Sequence, residues 1–119
     1  MRNSSLVNAL SKPKQLAVSP DNRIFVIDGK RIIVFDQYGN NVAAYNNNID
    51  FIGIRIIFNN LTLTAPDSIY YSDLRNPDFG LTRLNIEGID GTTKMVNSLI
   101  FGHNLYILTQ DRILVLKAE

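Results

Sequence analysis

The chain repeats itself, and a repeating chain has few folds open to it. Leu16-Ala17-Val18, a turn at Ser19 to Asn22, Arg23 to Asp28 and then Arg31 to Phe35 make one unit. Leu61 to Thr64, a turn through Ala65-Pro66-Asp67, Ile69 to Asp73 and then Arg83 to Ile86 make a second. Leu99 to Phe101, Gly102-His103-Asn104, Leu105 to Thr109 and then Arg112 to Leu116 make a third. Each reads as an apolar strand, a turn, a strand led by Ile or Leu, a second turn, and a strand opened by arginine. Matching Ile24, Ile69 and Leu105 gives spacings of 45 and 36 residues, a mean unit of about 40.

The units are built of strands. Apolar runs such as Ile24 to Ile27, Ile54 to Phe58 and Leu105 to Leu108 are four or five residues long, which suits a strand and is too short for a helix. Ile, Val and Thr number 15, 7 and 6, residues that fit a pleated surface, whereas the helix-favouring Ala occurs six times. Fourteen Asn gather between the runs with Gly, Pro and Asp, where they supply turns. Strands joined by tight turns with no crossover helices form antiparallel meanders. The expected fold is all-β: four-stranded meander blades of the size used in β-propellers, about three of them in one partial domain spanning residues 1–119. The blades are expected at about 12–48, 54–96 and 97–119, with residues 5–10, which include Leu6, Val7 and Leu10, as a candidate outer strand.

Particular residues carry a family resemblance. Pro13, Leu16-Ala17-Val18, Ile24 to Asp28, Arg31 to Asp36 and Gly39 resemble an NHL repeat. Ile69-Tyr70-Tyr71-Ser72-Asp73, followed by Arg83 to Gly88 and Asp90-Gly91, resembles a YWTD-type blade with Tyr in place of Trp. Both families build six-bladed propellers, so the resemblance implies half a ring here. Functions among such propellers range over scaffolds, receptor ectodomains, lactonases and lyases.

The candidate functional residues fall into two groups. Arg31, Arg83 and Arg112 recur once per unit, either as guanidinium groups facing an anionic ligand or as strand-start side chains lying along blade edges. The second group is a loop. Ile24 to Arg31 and Leu105 to Arg112 each span seven positions, but Ile69 to Arg83 spans 14. The insertion should protrude, with Leu74, Arg75 and Phe79 at its tips as candidate binding residues or as plain surface. His103 reads as a turn residue rather than a metal ligand, because no second His and no Cys accompany it. Asp28, Asp50, Asp73, Asp90 and Asn97 could cage Ca²⁺, but they lack the spacing of a calcium loop, and Asp28 and Asp73 fit better as hairpin caps.

These residues lead to a non-catalytic interaction or scaffold module with no cofactor and no metal, closing its ring by self-association or as part of a longer chain, with a protein or itself, as a homodimer, for a partner. The alternative is a fragment of a lactonase-like hydrolase or lyase whose metal site needs residues elsewhere. A formal net charge of +1 gives no reason to expect nucleic-acid binding. No apolar run is long enough for a membrane-spanning helix. The compartment stays open, cytoplasmic or exported after loss of a signal, since the chain has no Cys.

Overall fold

A computed structural model describes residues 10–86 and 94–117. Strands hold 56% of the described residues, which contain no helix. The first sheet runs in the order β1 (Pro13–Val18), β2 (Ile24–Asp28), β3 (Arg31–Phe35) and β4 (Asn41–Asn46). The second runs β5 (Gly53–Ile57), β6 (Asn60–Thr64), β7 (Ile69–Asp73) and β8 (Thr82–Arg83). The third comprises β9 (Met95–Phe101), β10 (Asn104–Thr109) and β11 (Ile113–Lys117). Every pairing is antiparallel between chain neighbours. These are the expected meander blades.

The blades stand side by side, with β1 packed beside β5 and β5 beside β9. Those three strands open their blades and lie innermost. Their starts are 40 and 42 residues apart, a more even period than the sequence matching gave. Strand alternation sends every second side chain into the space between blades. Phe25, Ile27, Ile32 and Val34 of the first blade thereby meet Ile54, Leu61 and Leu63 of the second. Phe51, in the connection between the two blades, is fully buried among them and meets the Tyr70 ring edge-on at 5.6 Å. A second core joins Ile69 to Met95, Leu105 and Ile107 of the third blade. Between the same blades, the buried hydroxyls of Thr64 and Ser98 share a hydrogen bond of 2.6 Å.

Three sequence expectations change. Ile24 and Leu105 lie on the second strands of their blades, but Ile69 lies on a third strand, so the second unit was matched one strand out of step. Its Ala65-Pro66-Asp67 turn resembles the Ser19-Pro20-Asp21 turn, yet it joins the second and third strands rather than the first and second. Turn chemistry specifies a hairpin; the side-by-side packing of blades decides which strand becomes innermost. The strand read over Arg83 to Ile86 is shorter and lies earlier, as β8 at Thr82 and Arg83. The third blade begins at Met95, two residues inside the range assigned to the second.

Candidate functional site

The arginines of the repeat lie in three different blades. Arg31 opens the third strand of its blade, Arg83 sits in a fourth strand, and Arg112 precedes a third strand. Arg31 donates to the buried carboxylate of Asp28 through Nε at 2.9 Å and Nη2 at 2.7 Å. Arg112 lies against Asp111, its Nε 3.2 Å from Oδ1. Arg83 is exposed beside Tyr70. Arg31 and Arg112 thus hold matching places at third strands, and Arg83, matched one strand out of step, stands on a fourth.

Asp28 ties down the start of the first blade. Its carboxylate also accepts from the backbone N–H of Ser11 at 3.1 Å and of Lys12 at 2.5 Å. Burial raises this carboxyl's pKa, but the two backbone bonds and Arg31 outweigh that and hold it below the usual range. Asp73 is held down to about 2, chiefly by the side-chain and backbone N–H groups of Arg75. Both acids thus serve hairpins. His103 occupies the turn between β9 and β10 with Gly102, whose φ of 65° is a left-handed value suited to glycine. Asp90 lies outside the described residues. Among the described residues, no three His, Cys, Asp or Glu side chains are grouped to hold a metal ion.

The inserted loop does not protrude as expected. Leu74 is buried, and Phe79 lies 4.5 Å from the Tyr45 ring and 6.1 Å from Phe25, centroid to centroid. Arg23 donates from Nη2 to the Leu74 carbonyl at 3.5 Å. The loop folds back over the first core because Leu74 and Phe79 gain more from apolar contact than from water. Arg75 alone of the three points to solvent, paired with Asp73 at 2.7 Å. Replacing the half-buried Phe79 by Ala is expected to cost about 2 kcal/mol, half the usual loss for a fully buried Phe. Thermal unfolding measures it; an unchanged melting temperature would mean that the ring does not pack.

Exposed apolar side chains gather on the end blades. On the third blade's outer face, Leu108 pairs with Ile113 and Tyr106 with Val115 and Leu99. Ile113 is 66% exposed, Val115 56% and Phe101 52%. Leu99, Tyr106, Leu108 and Ile113 line a cavity of about 450 Å³ on this face. Phe101 also stacks on exposed Phe58, which sits in the β5–β6 turn at a φ of 54°, rare for a bulky residue. On the first blade's outer face, Leu16 and Val18 are exposed beside buried Val26 and Ile33.

A second cavity of about 440 Å³ lies along the innermost strands, lined by Gln15, Arg55 and Asn97 among apolar neighbours. Each of these is the third residue of its strand. Sequence reasoning missed them because the second unit, begun at the wrong strand, leaves Arg55 out of line with Gln15 and Asn97. Counting each unit from its innermost strand brings the three polar residues into one column.

No protein-family model matches the chain, and no curated protein matches it. Solved structures do. The structure described as "YCF48 bound to D1 peptide" aligns with a TM-score of 0.69 at 16% identity, over 94% of this chain and 38% of that one. A streptogramin B lyase aligns with a TM-score of 0.58 at 15% identity, over 95% of this chain and 43% of the lyase. The N-terminal domain of Nup159 gives 0.55 at 10% identity, over 92% and 35%. All three are β-propellers, and the fold of this chain is that of a propeller segment. The chain spans less than half of each of these structures.

Proposed function

We propose that this chain is a non-catalytic interaction module that completes a propeller ring by associating with a second copy of itself. The observation that carries the reading is the outer face of the third blade, where Phe101, Leu108, Ile113 and Val115 are all exposed. Apolar side chains grouped on one sheet face favour association. Leu16 and Val18 give the first blade a similar outward face. In a two-fold dimer, the third blade of each copy covers the first blade of the other, and both contacts are the same. Two sets of three blades then make a six-bladed ring. The resemblance to longer propellers supports a ring larger than one chain's three blades. In this arrangement residues 5–10 of one copy add an outer strand beside β11 of the other; residues 5–9 of that segment lie outside the described residues.

Charge placed on the face tests the reading. Ile113→Glu puts a carboxylate where the partner's blade would pack, at a position exposed enough that folding is little affected. The expected result is loss of the dimer in size-exclusion chromatography, with melting of the separated chain changed by no more than about 0.5 kcal/mol. A dimer that persists in this variant and in Leu108→Arg places the contact elsewhere and overturns the reading.

A further inference from the structure

The third residues of the innermost strands differ from their apolar neighbours in one chemical respect. Gln15, Arg55 and Asn97 line one cavity of about 440 Å³, walled otherwise by Leu16, Ala17, Ile54 and Ile56. Gln15 accepts a hydrogen bond on Oε1 from the backbone N–H of Ile54 at 3.1 Å. Asn97 accepts on Oδ1 from the backbone N–H of Ser98 at 2.9 Å. Both amides therefore have their carbonyl oxygens engaged by the backbone, and each retains an NH₂ group with donors to give. Arg55 adds a guanidinium, which carries donors and no acceptor.

Arg55, like Arg83, differs from the other described arginines in having no carboxylate beside it among the described residues. Arg23, Arg31, Arg75 and Arg112 each lie within 2.7–3.2 Å of an Asp oxygen. Among the described residues, Arg55 has no such partner, and it is exposed. Asn97 is held close to the second blade by Gly53, since a Cβ there would lie 2.6 Å from Asn97 Oδ1. The close approach brings the Asn97 amide beside the strand that carries Arg55.

We propose that this cavity binds a carboxylate, with the Arg55 guanidinium supplying charge and paired donors and the Gln15 and Asn97 NH₂ groups completing the set. A carboxylate presents two acceptor oxygens in one plane, the geometry a guanidinium fork matches. The three side chains belong to one chain, and Arg55 and Asn97 also line the neighbouring cavity beside Leu108 and Ile113.

The test is titration of the isotope-labelled full chain with sodium acetate, following the side-chain N–H signals of Arg55, Gln15 and Asn97 by NMR. Saturable shifts at all three are expected, and Arg55→Gln should weaken binding about tenfold or more. Arg55→Lys, which keeps the charge without the fork, should fall between. An alanyl-alanine dipeptide with a free terminus, compared with its amide, separates the two sources. Tighter binding of the free dipeptide than of acetate points to a chain terminus, and equal or weaker binding to a small free acid. Absence of saturable shifts, equal affinity in Arg55→Gln, equal binding of the amide, or binding of inorganic phosphate without acetate each overturns the proposal. Sedimentation of the same sample reports self-association separately, so failure of one inference is distinguishable from failure of the other.

Discussion

Phe51→Ala is expected to destabilise the protein by about 3–5 kcal/mol, the range for emptying a fully buried aromatic site. Phe51 is 0% exposed and fills the space where the first blade hands the chain to the second. Its ring touches Tyr70 edge-on, and its carbonyl accepts from Lys14 Nζ at 3.3 Å, so it contacts both blades. The surrounding residues lie on separate sheets held by their own ladders and have little freedom to collapse into the gap. Against a total stability of roughly 5–15 kcal/mol, the loss should be plain in urea or thermal unfolding. A loss below about 1 kcal/mol would mean that the blades do not depend on this plug.

The second large effect concerns Asp28. Asp28→Ala removes the acceptor for Ser11, Lys12 and Arg31 together. Charge-assisted bonds of this kind suggest a loss of about 2–4 kcal/mol at neutral pH. The same carboxylate makes stability depend on pH. Its pKa is depressed on folding, so the unfolded state binds the proton more readily. The contribution is fully present above the unfolded pKa, near about 4, and is lost as pH falls through the lower folded value. Asp73, held at about 2 by Arg75, acts in the same direction. Stability should therefore fall below about pH 4, and the slope should be shallower in Asp28→Ala. An unchanged acid profile in the variant would show that the carboxylate is not held by these bonds when folded.

Much of the architecture is written in local chemistry. Phe25 and Ile27 alternate with Ile24 and Val26, and Gly29-Lys30 closes the hairpin that sets the β2–β3 register. Such signals act over a few residues, and they gave most of the strands, the turns and the antiparallel pairing. Order within a blade is a different kind of information. The turns Ser19-Pro20-Asp21 and Ala65-Pro66-Asp67 look alike, but one follows an innermost strand and the other a second strand. What separates them is contact between blades, which no local window contains. Phe51 escaped notice for the same reason: it stands in a connection, and only the neighbouring blade makes it core.

The candidate site was less legible. A long loop with Leu74 and Phe79 has the composition of an exposed contact surface, yet Tyr45 and Phe25 give Phe79 a place to pack. Arg31 and Arg112 recur, and each pairs with an Asp close by in its own hairpin. Gln15, Arg55 and Asn97 carry no motif at all. Their common position appears once the innermost strands are aligned.

Sedimentation equilibrium of the full chain, run over a range of concentrations, bears most directly on whether three blades act as half of a ring. The chain has a mass of 13.4 kDa. A two-fold ring predicts a single associated species of twice that mass, with no larger oligomers, because both outer faces are covered once the ring closes. A monomer of 13.4 kDa at every concentration, or growth into open-ended oligomers, would contradict the account.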